Sequence, residues 1–124
     1  MKKWTVLKFD GYPEKRQSKL ARGHETLIAN VLANLATYLR ALELGVHPEQ
    51  VKRSIPFVHD EKRGLVAIDQ RPPKGGFQVR LYVFPQATVS TLHVIAIGDK
   101  SSQEDDIRFC HRYIKEIENA QKSK

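Results

Sequence analysis

A single cysteine, Cys110, stands in 124 residues, and that scarcity excludes an internal disulfide framework and any zinc site built from several thiolates. One thiol fits a reducing cytoplasm, which is the expected location. Long hydrophobic runs are missing too. No stretch of about eighteen apolar residues occurs, and the N-terminal MKKWTVLKFDGYPEKRQ breaks into Lys8 and Asp10 before a leader's apolar segment forms, so a soluble protein with no membrane attachment is expected. The chain also lacks a glycine-rich phosphate loop, a dinucleotide fingerprint and histidines at metal-ligand spacing. No metal and no small-molecule cofactor is expected.

Acidic residues are the last shortage: 14 Asp and Glu face 21 Lys and Arg, a formal charge of +7. Such a field favours a polyanionic partner, either nucleic acid or an acidic protein. A merely solvated basic surface is the alternative. The length suits one domain over 1–124 with a core that needs no staples.

What is present reads as an alternation of strands and helices. Trp4 to Phe9 suits a short strand, closed by Gly11 and Pro13. A short polar helix follows from about Pro13 to Ala21. The clearest helix runs from His24 to Leu44, where Leu27, Ile28, Val31, Leu32, Leu35, Tyr38, Leu39 and Leu42 recur at three- and four-residue steps and Gly45 stands at a C′ position. Pro48 then marks the first residue of a helical turn and Pro56 its stop. Gly64 to Arg71, Phe77 to Phe84 and Thr91 to Ile97 are strand candidates joined by turn-forming PPKGG and PQATVS, which predicts an antiparallel meander. From Gln103 to about Ala120 a stripe of Ile107, Cys110, Ile114 and Ile117 predicts an amphipathic helix, with Ser101 or Ser102 as N-cap. The expected class is α+β.

The segment from Phe77 to Lys100 carries most of the chemistry. Alternation in FQVRLYVF puts Val79, Leu81 and Val83 on one face, expected to meet the helices, and Arg80 and Tyr82 on the other, expected to be open. A cation, a phenol and nearby loop lysines there suit phosphate. The topology and the motifs VRLYVF and LHVIAIGDK, flanked by KLARGHETLIANVL and DDIRFCHRYIKEI, resemble the RelE/ParE superfamily of bacterial toxins.

That resemblance implies a small RelE-like fold, an antiparallel sheet of an N-terminal strand plus the meander, packed by two N-terminal helices and a C-terminal one. It implies a type II toxin–antitoxin toxin, in the RelE branch an endoribonuclease that cuts mRNA in the ribosomal A site without a metal. Ribosome, mRNA and a cognate acidic antitoxin are the implied partners. Arg80 occupies the place of the arginine that RelE-type toxins use to hold the phosphoryl group, a task suited to its permanent charge and forked donors. Arg71 and Lys74 match further basic residues of the family, and Lys100 matches the basic residue after the last strand's glycine; the resemblance implies that they bind the RNA backbone or assist proton transfer, Lys100 as a catalytic residue. A gap-free alignment from Gly98 puts Asp106 where the family has a C-terminal tyrosine, leaving His111 and Tyr113, farther along, as candidates for proton transfer.

Plainer readings stand beside these. Arg80 is open to pairing with Asp69 or another carboxylate across the sheet. Tyr82 suits packing, and Lys74 suits a solvated turn. His93 alternates with Ile95 and Ile97 as a core-edge residue, while His24, His47 and His59 lack a recognisable partner spacing. His111 and Tyr113, two apart, diverge by about 200° on a helix, so at most one faces a site. Cys110 falls on the apolar stripe as a buried thiol. A non-catalytic member of the same superfamily, ParE-like and directed at gyrase or degenerate and binding only a partner, is the competing function.

Overall fold

A computed structural model describes residues 2–70 and 76–122. Five strands, β1 Thr5–Lys8, β2 Val58–Asp60, β3 Val66–Asp69, β4 Val79–Gln86 and β5 Thr91–Asp99, form one sheet in the order β1-β5-β4-β3-β2. Helices α1 Glu14–Ala21, α2 Glu25–Glu43 and α3 Pro48–Ser54 lie between β1 and β2 in sequence, and α4 Gln103–Lys122 closes the chain. The α+β class is as expected. None of the described helices is long and apolar enough to cross a membrane.

The expected all-antiparallel sheet needs correction, because β1 pairs in parallel with β5, Thr5 opposite Thr91 and Lys8 opposite Val94. Its neighbour is remote in sequence, separated from it by α1–α3 and β2–β4, so no hairpin imposes an antiparallel direction. The meander itself is antiparallel, and it gains β2, which the sequence reading left unassigned. β4 also runs past Phe84 through Pro85. Beyond Val83 it has no β3 partner, so a residue without an N–H fits there.

Local chemistry accounts for the helix ends. At the end of α2 the N–H of Gly45 bonds to Leu42 O and that of Val46 to Ala41 O, a Schellman closure that needs Gly45 at φ +93°. Pro48 opens α3, with His47 Nδ1 accepting from Glu49 N. Before α4 the cap is Asp99 rather than a serine: its carboxylate accepts from Ser101 N and Ser102 N and turns Lys100–Ser102 into a short 3₁₀ segment. The Ser101 hydroxyl, which donates to the same carboxylate at 2.6 Å, holds the Asp99 carboxyl below its usual range, aided by the two backbone amides.

Helices cover both faces of the sheet. Ile28, Val31, Tyr38 and Leu42 of α2 and Val51 of α3 pack with Val66, Ile68, Val79, Leu81, Val83, Leu92, Val94 and Ile97, so the aliphatic set of β4 meets helices as the alternation predicts. Leu32, at the margin of the α2 stripe, stays exposed. On the opposite face Cys110 and Ile114 of α4 pack with Ala67, Tyr82, Phe84, Ile95 and Ala96. A bulge makes this possible, since Tyr82 opposes Ala96 and Val83 opposes Val94, leaving Ile95 as the extra residue. It also breaks the expected alternation: Ile95 faces α4, whereas Ile97 faces α2.

Where β1 ends, the open edge of β5 is met by Arg16 of α1, which donates to Ile97 O at 3.1 Å and to Asp106 Oδ1 at 2.8 Å. Asp106, buried on α4, also accepts from Ser102 Oγ at 2.7 Å. Asp106 is therefore a structural anchor between the two layers.

His93 supplies a pH prediction. It is buried between Phe84 and Tyr113 and donates from Nε2 to Gln86 Oε1 at 2.8 Å, while Nδ1 is buried without a hydrogen-bond partner. Burial lowers its affinity for a proton. The unfolded chain takes up that proton near pH 6.5, so the contribution of neutral His93 to stability is present above that pH and is lost as pH falls through the lower folded value. Melting temperature should fall from pH 7 to pH 5, and His93→Phe should flatten that fall. An unchanged slope in the variant would assign the acid sensitivity to other groups.

Candidate active site

The face of the sheet under α4 is apolar at its centre and polar toward β2. Alternation puts Arg80, opposite Asp69 on β3 and Gly98 on β5, on the face of Ala67 and Tyr82. His59, opposite Ala67, lies on the same face. Asp69 and His59 are diagonal neighbours across the β2–β3 hairpin, and their side chains meet, Nε2 to Oδ2 at 2.7 Å. The Asp69 side chain is only 6% exposed, whereas His59 keeps 27% of its side chain in solvent.

Arg80 completes the cluster. Its Nη1 lies 3.5 Å from Glu61 Oε1, with side chains 18% and 14% exposed. The expectation that Arg80 stands free is corrected, and the alternative of a carboxylate partner holds, with Glu61 at the end of β2 supplying a carboxylate. At 3.5 Å the contact is a long ion pair, weaker than a close bidentate one.

Hydrogen bonds from neighbouring elements fix the cluster's floor. Asn34 Nδ2 of α2 donates to Asp69 O at 2.9 Å, and Asp69 N donates to Phe57 O. Gln70, buried beside them, spans to the start of β4: its Nε2 donates to Phe77 O and its Oε1 accepts from Val79 N. Arg71 and Lys74 follow in sequence and lie outside the described residues.

The remaining candidates go elsewhere. Tyr82 is fully buried beneath α4, correcting the expectation that it projects from an open face; α4 has an apolar stripe to bury, and this is the surface that receives it. With no exposed surface, the ring is removed from contact with RNA. Its hydroxyl, buried without a hydrogen-bond partner among the described residues, loses acidity through burial. Lys100 is exposed at the end of β5 and lines a shallow groove with Gly76, Phe77 and Gln78.

His111 and Tyr113 occupy opposite margins of α4, as their spacing predicts. His111 Nε2 bonds to the carbonyls of Glu61 at 2.9 Å and Lys62 at 3.1 Å, so the ring pins the β2–β3 turn. Tyr113 packs on Phe9, ring centroids 4.2 Å apart, and burial raises its pKa. His111 thus reaches the residue that pairs with Arg80, whereas Tyr113 packs at the other margin against Phe9. Cys110 is the buried thiol expected, pushed up to about 12 by burial and the nearby Asp106 carboxylate.

Sequence reasoning missed His59. The signal was the hairpin VHD–EKRG–LVAID: once Glu61 to Leu65 forms the turn, Asp60 faces Val66 and His59 comes diagonal to Asp69. A histidine oriented by a buried carboxylate and followed across the sheet by an arginine joins a proton acceptor to a fixed cation. The chain matches no protein-family model, no curated protein and no solved structure, so what it does is argued from these residues.

Proposed function

We propose that the chain is a RelE-type toxin, an endoribonuclease that cuts mRNA on the ribosome without a metal and is restrained by an acidic antitoxin. The observation that carries the nuclease reading is the His59–Asp69 pair on the same sheet face as Arg80. The motifs between Phe77 and Lys100 and the charge of +7 support the toxin reading and the polyanionic partners.

The reaction needs a base for the ribose 2′-OH, a cation for the phosphoryl group and a proton for the leaving oxygen. Asp69, as a carboxylate, accepts from His59 Nε2–H, which leaves Nδ1 as the proton acceptor. His59 takes the 2′-OH proton as the oxygen forms its bond to phosphorus. Arg80 turns from Glu61 to the more highly charged phosphoryl group, and the P–O5′ bond breaks. The imidazolium returns its proton to the 5′ oxygen, leaving a 2′,3′-cyclic phosphate and a 5′-hydroxyl. Lys100, Arg71 and Lys74 serve the RNA backbone.

The Arg80–Glu61 ion pair favours a second reading, because a neutralised arginine also suits a non-catalytic ParE-like or degenerate member that binds only its partner. Expression in bacteria separates the two. Growth arrest with mRNA cut in the ribosomal A site supports the nuclease. Arrest with intact mRNA and blocked supercoiling supports the gyrase-directed protein, and absence of arrest supports a degenerate member.

A further inference from the structure

The turn between β2 and β3 is strained for its residues. Lys62 at φ 70° and Arg63 at φ 55° are both left-handed, a conformation that disfavours long L side chains, and glycine appears only at Gly64. Several contacts hold it. Asp60 Oδ1 accepts from Lys62 N, Leu65 N donates to Lys62 O, and His111 of α4 bonds to the carbonyls of Glu61 and Lys62.

Beside this turn a groove of about 540 Å³ runs along the C-terminal half of α4. Among the described residues Arg63, Lys115 and Lys122 line it with Glu118 as the one carboxylate, so the Lys and Arg side chains outnumber carboxylates by two (3 − 1). Lys115 and Lys122 are two helical turns apart, about 10 Å. His111 links the groove to the candidate active site: it lines the groove and bonds the carbonyl of Glu61, whose carboxylate lies against Arg80.

We infer that this groove is the path of a single RNA strand, whose phosphates lie along Lys122, Lys115 and Arg63 and whose next segment reaches Arg80 and His59. The inference rests on the nuclease reading for the strand's destination. Glycine in place of left-handed Lys62 and Arg63 would remove the strain together with the charge. A phosphate backbone is the occupant because the lining offers separated cations and no exposed apolar side chain as an anchor among the described residues: Ile114, the one aliphatic residue there, is already buried against the sheet.

Anisotropy of an RNA oligonucleotide with methylated 2′-hydroxyls, which cannot be cut by 2′-OH attack, measures the groove apart from the chemistry. Substituting Arg63, Lys115 and Lys122 together by Gln should lower the slope of log affinity on log salt by about 2, and weaken binding about a hundredfold at 0.1 M salt relative to 1 M. Glu118→Gln should tighten binding. Lys62→Gly with Arg63→Gly should raise the melting temperature while weakening binding, a combination that a purely structural turn would not give. Parent-like slope and affinity in the triple variant overturn the inference, as does loss of binding to poly-glutamate with RNA binding intact, which would assign the groove to an acidic protein. Failure of the parent to cut ribosome-bound mRNA, with groove-dependent binding preserved, would sink the nuclease reading alone.

Discussion

His59→Ala should slow cleavage of ribosome-bound mRNA by roughly a hundred- to ten-thousandfold, the range for losing a positioned general base. Arg80→Ala should cost roughly a hundred- to a thousandfold, the range for deleting a single transition-state donor, because it removes the fixed charge that meets the phosphoryl group. Arg80→Lys should stay impaired, since an ammonium lacks the forked donors that span two phosphate oxygens. Asp69→Asn should fall between parent and His59→Ala: the ring keeps a neighbour but loses the carboxylate that fixes its tautomer. His111→Ala separates chemistry from support. It should loosen the turn that carries Glu61 and lower the melting temperature while leaving the pH dependence of the residual rate unchanged. Should His59→Ala cut RNA within tenfold of the parent while Arg80→Ala is inactive, the base lies elsewhere and the His59–Asp69 contact is structural.

The largest stability effect is expected at a residue with no side chain. A Cβ on Gly98 would run into the carboxylate of Asp106 and would stand 2.5 Å from Ser102 Oγ. Asp106 has little room to move, because it is buried and held by Arg16 and Ser102. Gly98→Ala therefore displaces a buried carboxylate from its partners at a cost of about 2–3 kcal/mol, less than for a fully buried ion pair because Arg16 is partly exposed. For a domain of this size that lowers the melting temperature by roughly 10 °C. A double-mutant cycle checks the cause. In an Asp106→Ala background the same glycine substitution should cost far less, since the obstructing oxygen is gone. Equal costs in the two backgrounds would locate the effect in the β5 backbone instead.

Much of the scaffold was legible because it follows from period and punctuation. The three- and four-residue steps of α2, Gly45 and Pro48 at its exit, and the aliphatic triplet Val79, Leu81, Val83 each encode a local rule that the tertiary structure respects. Less legible was what covers each face. Alternation says that Arg80, Tyr82 and Phe84 share a side, but not that a helix lies over two of them. A clue existed in α4, whose stripe of Ile107, Cys110 and Ile114 needed a surface after α2 had taken the other face.

The candidate site was half legible for a related reason. Arg80 stands out as a cation in an apolar strand. His59 does not, because its significance comes from a diagonal neighbour ten residues away, and short strands such as Val58–Asp60 carry too few residues for a period to show. The one-residue bulge at Ile95 is likewise invisible to a strict two-residue repeat, yet it decides which of Ile95 and Ile97 meets α4.

Cys110 gives the molecule a built-in clock. It is the single thiol, it sits on the buried side of α4, and proton loss from it is suppressed by its surroundings. A thiol reagent can therefore react only when α4 lifts from the sheet, so the labelling rate of the unmodified protein reads how often that helix opens. Global unfolding and helix opening separate by their dependence on denaturant. Any ligand that clamps α4 against the strands should slow the clock, and one that pulls the helix away should start it running, with no engineered probe in the chain.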